Sequence, residues 1–493
     1  MDQTLQHKKK VVIVGSGIAG LACAVRLAAK GHEVIVFEAG DGPGGKLHEF
    51  RLGPYRFDFG PSLFTMPHLV DDLFRLAGKS PSDYFKYSQL DILCQYFWDD
   101  GTKTHTYADL DRTIQRLSAD LGEDAEKLRS HFEDSKSKYE AVGKIFLEKS
   151  LHDLSTWMTR GVVKALFKIP SLHLFSTMHD VNARTFQNKK TIQLFDRYAT
   201  YNGSNPYKAP GLLNIIPHFE YGFGAFIPQN GMNDISNALY HLASDLGVSF
   251  QFNTKIKTIT AQDNKVGGVV TERGEKIEAD IVVSNMDAYY TYKHLLTNEN
   301  RAQNILKQER SSSAMIFYWG IADTFKELDL HNIFFSADYQ KEYQHISEGT
   351  ITDDPTVYIN ITSKYVEGDA PEDHENWFTM INVPYDRGQD WQMMAQIART
   401  HVLRKLSFIL KRDISTLIHQ ERIVTPDIID KKTLSYTGSL YGTSSNDRMA
   451  AFARHPNKSP DFDNLFFLGG SVHPGGGIPL CLFSASIVDD MIP

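Results

Sequence analysis

The sequence predicts an α/β protein: a nucleotide-binding domain assembled from separated segments, with an α+β domain inserted between them. Three observations predict it. The chain opens on a buried strand that breaks into a glycine-rich turn and a helix. It closes on another buried strand that enters a second glycine-rich loop and helix. Between them the pattern changes character twice. At 493 residues the chain exceeds what one hydrophobic core usually holds, so two domains of about 150–250 residues are expected.

The opening element is Val11-Val12-Ile13-Val14, four β-branched residues that read as a fully buried parallel strand. Gly15-x-Gly17-x-x-Gly20 follows, then a helix over residues 21–30 ended by Gly31. Gly15 makes the tight turn, Gly17 lets a pyrophosphate approach the backbone, and Gly20 lets helix and strand pack closely. A second strand, Val34-Ile35-Val36-Phe37, ends in Glu38, where a ribose-binding acid belongs. The loop Ala39-Gly40-Asp41-Gly42-Pro43-Gly44-Gly45-Lys46 offers bare amides and one cation to a nucleotide or flavin edge. Tyr55-Arg56-Phe57-Asp58-Phe59-Gly60-Pro61-Ser62 reads as an alternating strand ending in a turn.

From about residue 81 to 216 the pattern reads as helices and long connections. Within residues 155–175, Arg160, Lys164 and Lys168 make a cationic stripe opposite Met158, Val162 and Leu166, with Trp157 at its flank. That layout suits a helix lying in a membrane interface; it equally suits a surface helix with its apolar face on the core. A helix over residues 233–246 and strands within 247–260 return to the nucleotide domain, followed by a buried strand at 280–285. Residues 286 to about 430 read as a second insertion, with strand-like stretches at 314–320 and 356–362. A long helix is expected over 390–410, with Met393, Ile397, Val402, Leu406 and Ile409 on its apolar side. The histidines here, His331, His345, His374, His401 and His419, lack metal-ligand spacing and read as ordinary packing or surface residues. The closing strand Leu465-Phe466-Phe467-Leu468 runs into Gly469-Gly470-Ser471-Val472-His473-Pro474-Gly475-Gly476-Gly477-Ile478-Pro479 and a last helix. Such a helix start can stabilise negative charge on a reduced flavin ring. Two glycine-rich elements at opposite ends of the chain indicate one Rossmann-type flavin domain built from distant segments.

A net charge of −8 argues against nucleic acid as a partner. Three cysteines, Cys23, Cys94 and Cys481, form no metal-type pair and suit a reducing, cytoplasmic setting. Lys8-Lys9-Lys10 before an apolar run imitates a signal peptide, but the glycine spacing and Arg26 inside that run argue against one. No other stretch offers about 18 apolar residues, so no transmembrane span is expected.

Together these motifs resemble the bacterial phytoene-desaturase-type carotenoid oxidoreductases of the amine-oxidase-like flavoprotein superfamily. The likeness runs nearly end to end. It rests on the first glycine motif with Glu38, on Gly44-Gly45-Lys46, and on Phe57 to Ser62. It continues in Pro228-Gln229-Asn230-Gly231-Met232, in Val283-Ser284-Asn285-Met286-Asp287, and in His473 to Pro479. Pro479-Leu480-Cys481-Leu482 is most similar to the hydroxycarotenoid 3,4-desaturases. Departures are Lys46 for a common Arg, Gly470-Ser471 for Gly-Ala or Gly-Asp, and Asn230 for a usual Gly.

The resemblance implies noncovalent FAD and no metal. It implies a hydrophobic tunnel for a long acyclic or monocyclic hydroxycarotenoid, drawn by a peripheral protein from the inner membrane. The sequence does not reveal the terminal electron acceptor: oxygen, a quinone or another redox partner all stay open. Cofactor contacts are expected from Gly15, Ser16, Gly17, Ile18, Ala19, Gly20, Glu38, Ala39, Gly44, Gly45, Lys46 and Leu47. Further contacts are expected from Pro61, Ser62, Ile256, Gly470, Ser471, Gly477, Ile478, Pro479 and Leu480. The FAD domain is expected over residues 1–80, 226–286 and 430–493, and the substrate domain, with its helical part, over 81–225 and 287–429. Hydride loss from C4 of a 1-hydroxy end group leaves a cation spread over the polyene, so positioning and exclusion of water are the main demands. Asp58 and Asp287 are the nearest candidates for a base, although a buried structural role suits both better. Competing readings are a phytoene desaturase, a carotenoid isomerase or saturase, an amine oxidase-like enzyme with flavin on Cys481, and a noncatalytic prenyl-lipid escort protein.

Overall fold

The computed structural model describes residues 8–158 and 172–493. At its centre lies a five-stranded parallel sheet in the order Ser249–Gln251, Glu33–Phe37, Lys10–Val14, Ile281–Ser284, Leu465–Phe467. Segments from the start, middle and end of the chain therefore share one sheet. Because side chains alternate along a strand, Val11 and Ile13 point to one face and Val12 and Val14 to the other. The first face is covered by the helices Ile18–Ala29, Asn233–Asp245 and Ile478–Met491 through Leu21, Leu239 and Leu482. The second is covered by a small antiparallel sheet (Ile256–Gln262, Lys265–Thr271, Lys276–Glu278) through Ile259 and Val269. The first helix starts at Ile18, so Gly20 lies inside it.

The second layer is a seven-stranded sheet in the order Ile418–Val424, Ser313–Ile321, Glu375–Val383, Val357–Asn360, His331–Phe334, Ile92–Phe97, Lys103–Tyr107. It is antiparallel except where His331–Phe334 runs parallel to Ile92–Phe97. Two of these strands lie in the stretch read from sequence as helices and connections. Each is short and pairs with strands hundreds of residues away or across a tight turn, so local periodicity carries little of the signal. Phe317 and Trp319 face the long helix Trp391–Leu410, whereas Ala314, Ile316 and Tyr318 face the hairpin Glu49–Leu52/Tyr55–Asp58.

The long helix corrects one expectation. Its buried stripe is Trp391, Ala395, Ala398, Val402, Leu406 and Leu410, while Met393 is 56% and Ile397 47% exposed. The two alanines set the phase, because a small side chain at the contact lets the helix approach the sheet. Of the residues read as membrane-facing, Trp157 closes the short helix Leu154–Trp157 and Met158 follows it; Arg160, Val162, Lys164, Leu166 and Lys168 lie outside the described residues. Among the described residues no helix is long and apolar enough to cross a membrane.

Candidate active site

The carboxyl ends of the central parallel strands open onto one cavity of about 1610 Å³. That exceeds the roughly 300–1,000 Å³ of an ordinary small-molecule pocket. At its nucleotide end the two glycine loops are tied together: Gly44 N donates to Ser16 O at 2.9 Å. A Cβ at Gly44 would come 2.3 Å from Leu47 O, and one at Gly45 3.2 Å from Gly17 Cα. Only glycine permits this approach, so the second loop is a fitted part of the wall. A Cβ on Gly20 would lie 2.3 Å from Gly15 O, which explains the third glycine as a packing position. Asn285 wedges between the loops, its Nδ2 donating to Gly15 O at 3.3 Å. Glu38 closes the second strand, accepting from Ser16 N (2.8 Å), Ser16 Oγ (2.9 Å) and Gly40 N (2.8 Å).

Nearly all residues expected at the cofactor line this cavity: Gly15, Gly17, Ile18, Ala19, Glu38, Ala39, Gly44, Gly45, Lys46, Leu47, Pro61, Ser62, Ile256, Gly470, Ser471, Gly477, Ile478, Pro479 and Leu480. Ser16 and Gly20 are not among the lining residues. Ser16 is buried with its polar atoms turned to Glu38, and Gly20 is buried in the helix. The last helix starts at the cavity wall with Pro479 in its first turn. Cys481 N donates to Gly477 O at 2.9 Å, and the amides before it have no intrahelical acceptor.

Two cations, the half-buried Lys46 and the buried Arg454, line the cavity without a salt bridge among the described residues. Lys46 donates from Nζ to Leu440 O at 3.2 Å, and burial depresses its pKa. Arg454 donates to Thr443 O and Ser445 Oγ, and burial lowers it to about 10. A buried cation without a counter-charge is costly, so this wall fits a ligand carrying negative charge. Sequence reasoning missed Arg454, which lies outside every glycine motif.

The two carboxylates weighed as bases are committed elsewhere. Asp58 is buried off the cavity, 2.9 Å from Arg56 Nη2, and accepts from Met232 N and Asn233 N at the start of a helix. Asp287 lines the cavity, but it pairs with Arg310 at 3.1 Å and accepts from Tyr289 N at 2.9 Å. Cys481 lines the wall half-buried, and desolvation raises its thiol pKa to about 11.

Beyond Ser62 the cavity becomes a chamber walled by Ile216, Phe219, Ile316, Ile333, Phe378 and Met380, contributed by the seven-stranded sheet and the helices beside it. Its polar groups are few and connected. Ser62 Oγ lies 2.8 Å from Tyr358 OH, which lies 2.7 Å from His331 Nδ1. Glu220 accepts from Tyr198 OH at 2.7 Å and from Tyr201 OH, with Arg197 3.9 Å away. Burial raises the Glu220 pKa and pushes His331 down to about 3. The sequence carried no local signal for these groups. Among the described residues no cluster of His, Cys, Asp and Glu could hold a metal ion.

Residues 18–486 match the family model of flavin-containing amine oxidoreductases. The chain is 49% identical to the 1-hydroxycarotenoid 3,4-desaturase of Flavobacterium sp. (strain P99-3), over 98% of this chain and 99% of that one. It is 30% identical to the 4,4'-diaponeurosporene oxygenase of Staphylococcus aureus (strain MRSA252), over 98% of each chain. Among solved structures it resembles cyclohexylamine oxidase from Brevibacterium oxydans IH-35A, with a TM-score of 0.63 at 14% identity over 98% of each chain, a likeness of fold.

Proposed function

The chain belongs to the flavin-containing amine oxidoreductase family, and on that premise we propose that it is an FAD-dependent carotenoid desaturase forming the 3,4 double bond in the acyclic end of a 1-hydroxycarotenoid. The named activity of the Flavobacterium relative supports the substrate class. The observation that carries the reading is the single cavity, which runs from a nucleotide cradle into an apolar chamber where the two candidate bases are unavailable. When bound, FAD supplies the hydride acceptor.

The chain's own residues hold, orient and dry the reactants. The glycine loops, Glu38 and the start of the last helix cradle the dinucleotide, and Lys46 and Arg454 offset its negative charge. Residues 1–80, 226–286 and 430–493 hold the cofactor in this reading, and 81–225 and 287–429 hold the substrate. The apolar walls keep water from a reaction whose positive charge the conjugated chain itself spreads. The high thiol pKa of Cys481 fits noncovalent flavin, because attachment through sulfur needs a thiolate.

An apolar surface patch supports docking on a membrane, as a peripheral protein at the cytoplasmic face. Met158 is 86%, Phe175 78% and Met449 59% exposed, and Arg448 lies 5.5 Å over the Phe175 ring. Trp157 packs near Phe452, which meets the cavity-lining Phe146 at 5.6 Å. The patch and the cavity wall are thus neighbours, and a lipid entering there stays out of water. Reoxidation by oxygen or a quinone completes the cycle.

The test follows the visible flavin absorbance anaerobically after adding a 1-hydroxy acyclic carotenoid in liposomes. Bleaching with a red-shifted polyene product is expected, and the yellow colour should stay in solution after acid precipitation. A bound flavin that bleaches with neither hydroxylated nor unhydroxylated carotenoid overturns the reading in favour of amine oxidation or isomerisation.

A further inference from the structure

The last helix begins with a positive end that no side chain among the described residues caps. Gly477 precedes it, and Ile478 and Leu480 carry its free amides at the cavity wall. A helix start alone attracts any anion. A second group beside this one makes it particular.

That group is Arg454, which is 4% exposed and lines the same cavity. Nη2 donates to Thr443 O at 3.2 Å and to Ser445 Oγ at 3.3 Å, which anchors one corner of the guanidinium. Nε and Nη1 make no hydrogen bond among the described residues, and neither is sealed in by protein atoms. On a residue of the cavity wall, these two nitrogens meet the open space. Burial alone lowers the pKa, to about 10, so the group keeps its charge at neutral pH. A buried guanidinium anchored at one corner and free at the other is costly until an anion meets it.

Its neighbours fix where that anion stands. A Cβ at Gly475 would collide with Nη1, so the loop before the helix is cut to the arginine's shape. The two segments are laced together: His473 N donates to His455 O at 3.0 Å, and Asn457 Nδ2 to His473 O at 2.9 Å. On the other side, Ser445 Oγ accepts from Asn202 Nδ2 at 3.1 Å, at the end of the 3-10 helix Arg197–Asn202, which lines the cavity. Arg454 therefore stands at the seam between the cofactor wall and the substrate chamber. Sugar and phosphates belong at Glu38 and the first glycine motif. The part of the cofactor that must meet the substrate, the ring, belongs at the seam.

We propose that Arg454 sets the reduction potential of the flavin: with the uncapped start of the last helix, it holds the negative charge that the ring gains on accepting hydride. In that step the C–H electron pair becomes an N–H bond on the ring. The substrate is left positive and the ring gains one negative charge, which a cation already in place stabilises. Ser445 is a positioning residue that anchors the guanidinium. The inference rests on the flavin of the activity reading and not on the identity of the carotenoid.

The test measures the two-electron reduction potential of the purified holoenzyme against reference dyes, without carotenoid, and separately the Kd for oxidised FAD. Arg454→Met should shift the equilibrium against the reduced flavin by about 10- to 100-fold, which is roughly 30 to 60 mV. Affinity for oxidised FAD should change by a smaller factor. Arg454→Lys, which keeps a cation, should recover part of the shift. Ser445→Ala should give a smaller shift in the same direction, and it tests the anchored charge even where Arg454→Met yields no folded protein. A potential unchanged in folded, flavin-bearing variants overturns the inference. So does an equal loss of affinity for oxidised and reduced FAD, which would put Arg454 at the phosphates. A wild type whose potential depends on Arg454 but whose flavin never bleaches with carotenoid overturns the substrate reading alone.

Discussion

The two ends of the cavity are built from different materials. The nucleotide end is mostly backbone: glycine loops, strand ends and helix starts, held on a parallel sheet buried on both faces. The chamber end is mostly side chains, projected from an antiparallel sheet and the helices beside it. A backbone cradle serves a ligand that does not vary, and its tolerance is set by van der Waals contact. A side-chain chamber can change its ligand by substitution while the sheet stands, so specificity belongs there.

The largest expected effect tests whether the two ends are separable at all. Arg56 ties their supports together away from the cavity: it meets Asp58, which holds the start of the helix Asn233–Asp245, and, at 3.3 Å, Asp369, which lies between two strands of the seven-stranded sheet. Arg56→Met leaves both buried carboxylates without their cation, at a cost of about 3–5 kcal/mol in a urea melt. A loss below about 1 kcal/mol would show the two ends to be independently stable. Next, Gly20→Val drives a side chain against Gly15 O and Asn285, costing about 3 kcal/mol. Flavin-to-protein ratio should collapse in this variant while the far-ultraviolet signal of the antiparallel sheet persists. Retention of full flavin content would break the description of the nucleotide end as a tight backbone fit.

The smallest effect concerns acid. His131, packed against Phe186 and Phe195 beside the chamber, is pushed down to about 3 by burial. Its folded value lies below the roughly 6.5 of an unfolded chain, so the stability from keeping it neutral is full above pH 6.5 and declines as pH falls towards 3. His131→Phe should flatten the fall in unfolding free energy between pH 6 and 4 by about 1 kcal/mol per unit. An unchanged slope would place the acid sensitivity elsewhere.

The same contrast explains what the sequence reveals. Glu38, the glycine loops and the final helix are legible because their spacing is local and each residue type has one mechanical use. Asn285 sat in a recognised strand end, yet its wedge between three glycines needs the fold. Ser62, Tyr358 and His331 meet only through strand pairing and a loop placed beside it, so His331 read as an ordinary packing histidine. Met393 and Ile397 misled for the opposite reason: hydrophobicity outranked the small alanines that set the contact. The strands at Ile92–Phe97 and Lys103–Tyr107 owe their place to a distant sheet, which overrides local pattern.

The shared parallel sheet also orders events during synthesis. Its first strand, Lys10–Val14, is made hundreds of residues before its edge strand Leu465–Phe467 and the helix Ile478–Met491. At roughly 5–20 residues per second the first glycine turn waits tens of seconds for the rest of its cradle. Until that edge strand and that helix are made, the cradle lacks one strand and one helix of its wall. A growing chain therefore carries an incomplete flavin site until that last helix has been synthesised.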